Sequence, residues 1–65
     1  MLKVIELLSE STTSWEDATQ KAVAECSKTV KNIRSCYVRD FSTVVKDGAV
    51  THFRVSVKIT FEVDR

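Results

Sequence analysis

AVTHFRVSVKITFEV, residues 49–63, decides the fold. With a period of two it puts Ala49, Thr51, Phe53, Val55, Val57, Ile59, Phe61 and Val63 on one side, and Val50, His52, Arg54, Ser56, Lys58, Thr60, Glu62 and Asp64 on the other. That is a long strand with one dry face and one wet face. A helical reading fails, because a turn of 100° per residue scatters the β-branched and aromatic side chains around the whole cylinder. The dry face needs a cover, and only one other segment of the chain is able to supply it.

That segment begins at a polar cluster. Thr13 with Glu16 three residues on is a capping box, and Ser14 with Asp17 repeats the signal one residue later. Glu16 and Asp17 also suit the positive end of the helix dipole. The pattern predicts a helix over about residues 14–29, with Trp15, Ala18, Ala22, Cys26 and Thr29 on one stripe and Asp17, Gln20, Lys21, Lys28 and Lys31 opposite. Small side chains at 18, 22 and 26 let the axis lie close to a sheet, leaving Phe53, Val57 and Phe61 to fill the gap. Trp15 at the helix start has two readings, a hydrophobic end-plug or an aromatic stacking surface.

Residues 2–9, LKVIELLS, read as a first strand with apolar groups on both faces, one under the helix and one against a neighbouring subunit. Residues 32–45 read as another, with Ile33, Tyr37, Phe41, Thr43 and Val45 on one parity and Cys36, Val38 and Val44 on the other. A parity-switching bulge is compatible with that mixture. Lys46, Asp47 and Gly48 are expected to form a three-residue hairpin loop with glycine at positive φ. That loop pairs Val45 with Ala49, Phe41 with Phe53, Tyr37 with Val57 and Asp40 with Arg54. A two-residue loop would set the apolar face of one strand against the polar face of the other. The expected fold is α+β: a β-α-β-β chain whose three antiparallel strands, in the order 1-3-2, pack on one helix.

Length and composition narrow the function. Residues 1–65 make one domain, and at this size only about 60% of the unfolded chain's surface is hidden. Disulfides, a metal or partner subunits usually make up the deficit. Cys26 and Cys36 have no metal-ligand spacing; a bridge between them stays open beside the reading as two thiols in a reducing compartment. Oligomerisation is the leading solution. A formal charge of +1 with alternating signs argues against nucleic-acid binding. Lys3 and Glu6 interrupt an N-terminal run too short for a signal peptide or a membrane span, so a cytoplasmic location is expected. The single glycine belongs to the hairpin, leaving none to frame a nucleophile or cradle a phosphate, so no catalytic residue is assigned and the chain is not expected to be an enzyme.

His52, Asp40, Asp47 and Glu62 are the only plausible metal ligands outside the helix. On a strand rising about 3.4 Å per residue, His52 and Glu62 are far apart. Symmetry axes multiply each ligand, however, and leave a hard cation open. Glu6, Lys58 and Glu62 are assigned to assembly, where charged pairs fix docking geometry more than affinity.

The opening KVIEL, the TSWEDA helix start, KTVKNIRS at the helix exit, the DG loop and the closing FRVSVKITFEV occur in an order and spacing that resemble the dodecin family over nearly the whole chain. The resemblance implies a hollow homododecamer built from trimers that stores or buffers flavins, held in pairs at subunit contacts, without turning over a substrate. Flavin-binding dodecins stack the ring on a tryptophan at the position of Ser35 and bond its polar edge with a glutamine at the position of Arg54. A related branch has tryptophan at the position of Tyr37. Ser35, Tyr37 and Arg54 are therefore the ligand-binding positions that the resemblance implies, for riboflavin or FMN. Loss of the aromatic stack forfeits roughly 1 to 3 kcal/mol, or about one to two decades of affinity, so the implied site is a weakened one. Tyr37 offers a smaller aromatic platform and Arg54 a cation for a phosphate or a carbonyl edge. The TSWE start is similar to that of dodecins that take a divalent cation such as calcium instead, which makes a flavin-free structural or cation-binding variant the alternative.

Overall fold

The computed structural model describes residues 1–63. Its elements run β1 (Leu2–Ser11), α1 (Trp15–Cys26), β2 (Ile33–Lys46) and β3 (Ala49–Glu62). The strands form one antiparallel sheet in the order β1-β3-β2, with the helix on one face. Asp64, assigned above to the wet face, lies outside the described residues.

Strand alternation sets the core. Val55, Val57 and Ile59 are fully buried beneath Ala18, Ala22 and Cys26 of α1. Ile5 and Leu7 of β1 and Ile33, Cys36 and Val38 of β2 close the sides. The three small helix residues act as expected, bringing the axis down onto β-branched side chains at close packing. Phe53 and Phe61 flank the core half-buried instead of filling its centre.

The helix start is more elaborate than a two-residue box. Ser14 is the N-cap and its Oγ accepts from the Asp17 N–H at 3.0 Å. β1 continues two residues past the expected end, to Ser11, which is 2% exposed. Ser11 Oγ donates to Asp17 Oδ2 at 2.5 Å and accepts the Thr13 N–H at 2.9 Å. One buried hydroxyl thus joins the strand end, the turn and the first helical turn. Ser9 Oγ adds a bond to the Ala18 carbonyl at 2.8 Å. The helix ends at Cys26, earlier than the apolar stripe suggested, with Val30 N–H closing back on the Cys26 carbonyl at 2.9 Å.

The hairpin corrects the expected register. Lys46 pairs with Ala49, so the loop is the two-residue turn Asp47-Gly48, with φ of 53° and 77°. Positive φ at both central residues is the type I′ geometry that follows the twist of the strands. The clash of faces that argued against a two-residue loop is removed by a register shift between Val44 and Val45, which leaves Thr51 of β3 unpaired. Phe41 then meets Val55 and Thr43 meets Phe53, both on the helix side as expected but with other partners. Two further shifts leave Arg39 and Arg34 of β2 unpaired. The first rotates the strand, so Tyr37 meets Lys58 on the face away from the helix, not Val57 beneath it. Asp40 meets Ser56 and lies 3.8 Å from the neighbouring Arg39, so its expected pairing with Arg54 does not form.

Both cysteines are free thiols. Cys26 is buried in the core, and Cys36 packs against the same cluster. Burial, reinforced by the nearby Cys26, pushes the Cys36 thiol above its ordinary value of 9.0. A raised thiol pKa contributes stability that is intact below the unfolded-state value and is lost as pH rises through the folded one. Thiolate is the nucleophile, so Cys36 should alkylate with iodoacetamide several-fold more slowly than free cysteine between about pH 8 and 9. Mass spectrometry over time reads this directly.

The turn yields a second expectation. Nothing lies within 4 Å of a Cβ built on Gly48, so a substitution there meets strain in the backbone alone. Gly48→Ala should destabilise by about 1 kcal/mol. Urea unfolding at fixed protein concentration measures it.

Candidate ligand face and aromatic groove

Alternation and the bulges together determine which groups share the open face of the sheet. From β1 come Leu2, Val4, Glu6, Leu8 and Glu10; from β3, Arg54, Ser56, Lys58, Thr60 and Glu62. β2 adds Ser35 opposite Thr60, Tyr37 opposite Lys58 and Ser42 opposite Arg54. Ser35, Tyr37 and Arg54 are therefore on one face. Ser35 and Tyr37 are successive outward residues about 7 Å apart along the strand. Arg54 is four β3 positions from Lys58, hence about 14 Å further along. In one chain these three line a strip and do not converge on a pocket.

The charges of this face are largely committed. Arg54 Nη2 lies 2.9 Å from Glu10 Oε2, a cross-strand pair that takes the place of the expected Asp40 contact. Arg34 reaches Glu62 at 3.1 Å. Arg39, the residue released by the central bulge, crosses over β3 to Glu6 at 3.2 Å. Glu6 is the direct cross-strand neighbour of Lys58, yet its carboxylate is held by Arg39. Lys58 is half-buried and, among the described residues, has no ion-pair partner. It lies beside Tyr37, a residue 65% exposed. An aromatic face next to an uncompensated cation is the chemistry this strip offers.

Periodicity places Lys58 on the wet face but gives no sign that its cation lies beside Tyr37. The signal for the bulges was nevertheless in the sequence: helix-side residues Ile33, Cys36, Val38 and Phe41 are spaced three, two and three apart, and each three marks an extra residue.

The other face carries a groove. Trp15 meets Phe53 edge-on with centroids 5.1 Å apart and Phe41 at 5.8 Å, and its Nε1–H donates to the Ser42 carbonyl at 3.1 Å. Trp15 is thus the end-plug of the helix, with its polar atom satisfied. Beside it, Trp15, Glu16, Thr19, Val38 and Phe41 line an open concavity of about 370 Å³.

Among the described residues, His52 bonds only its neighbour Thr51, at 3.1 Å. Among the described residues no three histidine, cysteine or carboxylate side chains gather as a metal site. No described helix is long and apolar enough to cross a membrane.

No curated protein matches the chain by sequence. Solved structures do. A dodecin from Streptomyces coelicolor superimposes with a TM-score of 0.95 at 25% identity, over 100% of this chain and 93% of that one. The calcium dodecin of Mycobacterium tuberculosis, described as a calcium-chelating immunodominant antigen with a novel calcium-binding site, is 29% identical, with a TM-score of 0.86 over 98% and 91% of the two chains. A mutant of the Thermus thermophilus dodecin shares the fold at 23% identity, with a TM-score of 0.94 over 100% and 97%. The β-α-β-β topology with strand order 1-3-2 agrees with these relatives, and the dodecin family profile spans residues 1–64: the chain belongs to the dodecin family.

Proposed function

We propose that this chain is a non-enzymatic small-ligand binder that works as a cytoplasmic shell of identical subunits, a homododecamer built from trimers, and holds a flavin of the riboflavin or FMN class. Family membership motivates the shell and the ligand class. The observation that carries the assignment of a site is Tyr37, turned out to 65% exposure on the open face by the bulge at Arg39.

A test of fit gives a divided answer. Tyr37 offers a ring face, Ser35 and Thr60 offer hydroxyls beside it, and Lys58 offers a cation for an electron-rich edge or a phosphate. Arg54 is already engaged by Glu10, so it serves a ligand only if that pair opens or a neighbouring subunit brings Arg54 close. Because the strip does not converge in one chain, the pocket needs residues from more than one subunit. A flavin bound at subunit contacts meets that requirement.

The second reading is a flavin-free, cation-binding shell. Two observations favour it: similarity to a dodecin described as calcium-chelating, and a serine and an arginine where the resemblance calls for tryptophan and glutamine. Its ligands would have to come from several copies, since Glu6, Glu10 and Glu62 are each held by an arginine within the chain.

Fluorescence titration separates the two. Purified protein is expected to quench riboflavin or FMN at micromolar concentration, and Tyr37→Ala to weaken binding by about tenfold or more, the scale of one lost aromatic stack. Unquenched flavin would exclude the first reading. Chelator treatment tests the second: a cation-held shell should lose subunits or melting temperature, whereas a shell that is unaffected holds no structural cation.

A further inference from the structure

The β2–β3 hairpin overhangs the helix, and its tip and the groove at the helix start have complementary chemistry. We propose that the hairpin tip of one chain docks into the Trp15–Phe41 groove of a second copy. The inference rests on the shell of identical subunits argued above and names a contact within it.

No described residue of its own chain covers the groove. Phe41 is on the helix side of the sheet yet 61% exposed, because α1 begins beside it and the hairpin continues past. The chain's own tip is out of reach. Lys46 is five residues beyond Phe41, about 17 Å along an extended strand, and the tight Asp47-Gly48 turn has no slack to fold back.

The tip has the shape and chemistry of an insert. Val45 and Val50 are direct cross-strand partners, so both side chains project from the same face, 62% and 52% exposed. Exposed valines on a narrow, two-stranded end are what an apolar cleft lined by Trp15, Val38 and Phe41 accepts. Charge agrees with this. Glu16 is at the groove rim, Lys46 is next to Val45, and among the described residues neither has an ion-pair partner. With Lys46 of a second copy against Glu16, both would be satisfied and the docking register fixed. Since each copy carries both a tip and a groove, every copy can give and receive the contact, which closes into a symmetric assembly under rotational symmetry.

Trp15, the single tryptophan, reports on its own groove. Light scattering with size-exclusion chromatography and Trp15 emission are measured over a dilution series for the wild type, V45S/V50S, E16K and E16K/K46E. The substituted side chains are surface groups, so circular dichroism should show each chain folded. V45S/V50S and E16K are expected to raise the concentration for half-assembly by about tenfold or more and to shift Trp15 emission to longer wavelength. E16K/K46E should return both to the wild-type range. Wild-type assembly and emission in V45S/V50S would overturn the contact, leaving the groove to a small apolar ligand or to solvent while the shell stands on other surfaces. A wild-type chain that stays at 7.4 kDa would overturn the shell and the contact together.

Discussion

One short helix has to cover one face of a long ribbon, and the rest of the structure depends on that mismatch. The twelve residues of α1 extend about 18 Å, whereas the backbone of the subunit extends 51 Å along its longest axis. Among the described residues, six make the buried apolar core, three of them alanine or cysteine from the helix. A core this thin holds because nothing in it is misplaced. Small groups on the helix meet β-branched groups on β3, and Ser11, the one buried polar residue among those described, is fully engaged in tying the strand end to the helix start. The hairpin beyond the helix start has its dry side uncovered, and this gives the groove beside Trp15 and the apolar hairpin tip.

The open face is governed by a different balance. Its arginines and glutamates pair across strands, and their side chains are roughly half exposed. Such pairs contribute about 0 to 1 kcal/mol each, too little to hold the sheet together. Their effect is selective: they decide which charges remain available. Arg39 takes the carboxylate of Glu6 and leaves Lys58 without an ion-pair partner among the described residues, beside Tyr37, while Glu10 occupies Arg54. A ligand reaching this strip meets an aromatic ring and a lysine, with Arg54 available only in exchange for an existing bond.

On either proposed reading, ligand binding and assembly are consequently one problem. The positions implied by family resemblance spread along about 20 Å of sheet, and no described carboxylates cluster for a cation. Both proposed functions therefore need the surfaces of several subunits. The same exposed apolar groups that make a lone subunit thin, Leu2, Val4 and Leu8 on β1 among them, are available for that purpose.

Periodicity by itself determined the element order, the helix-facing side of β3, the helix start at Ser14 and the small-residue stripe of α1. These are set by local rules: alternation in strands, one apolar stripe on a helix, and side chains that cap nearby amides. The strand order followed too, since a helical connection lets the first strand pair with the third. The register of β2 was another matter. A bulge inverts the facing of every residue up to the next bulge, and whether one forms depends on cross-strand packing summed over the whole sheet. Only the tertiary structure therefore decided that Asp47-Gly48 turns alone, that Thr51 and Arg39 are left unpaired, and that Tyr37 faces outward beside Lys58. Arg54 is bound to Glu10 for the same reason: β1 and β3 are 44 residues apart in sequence at that contact, and no local pattern links them.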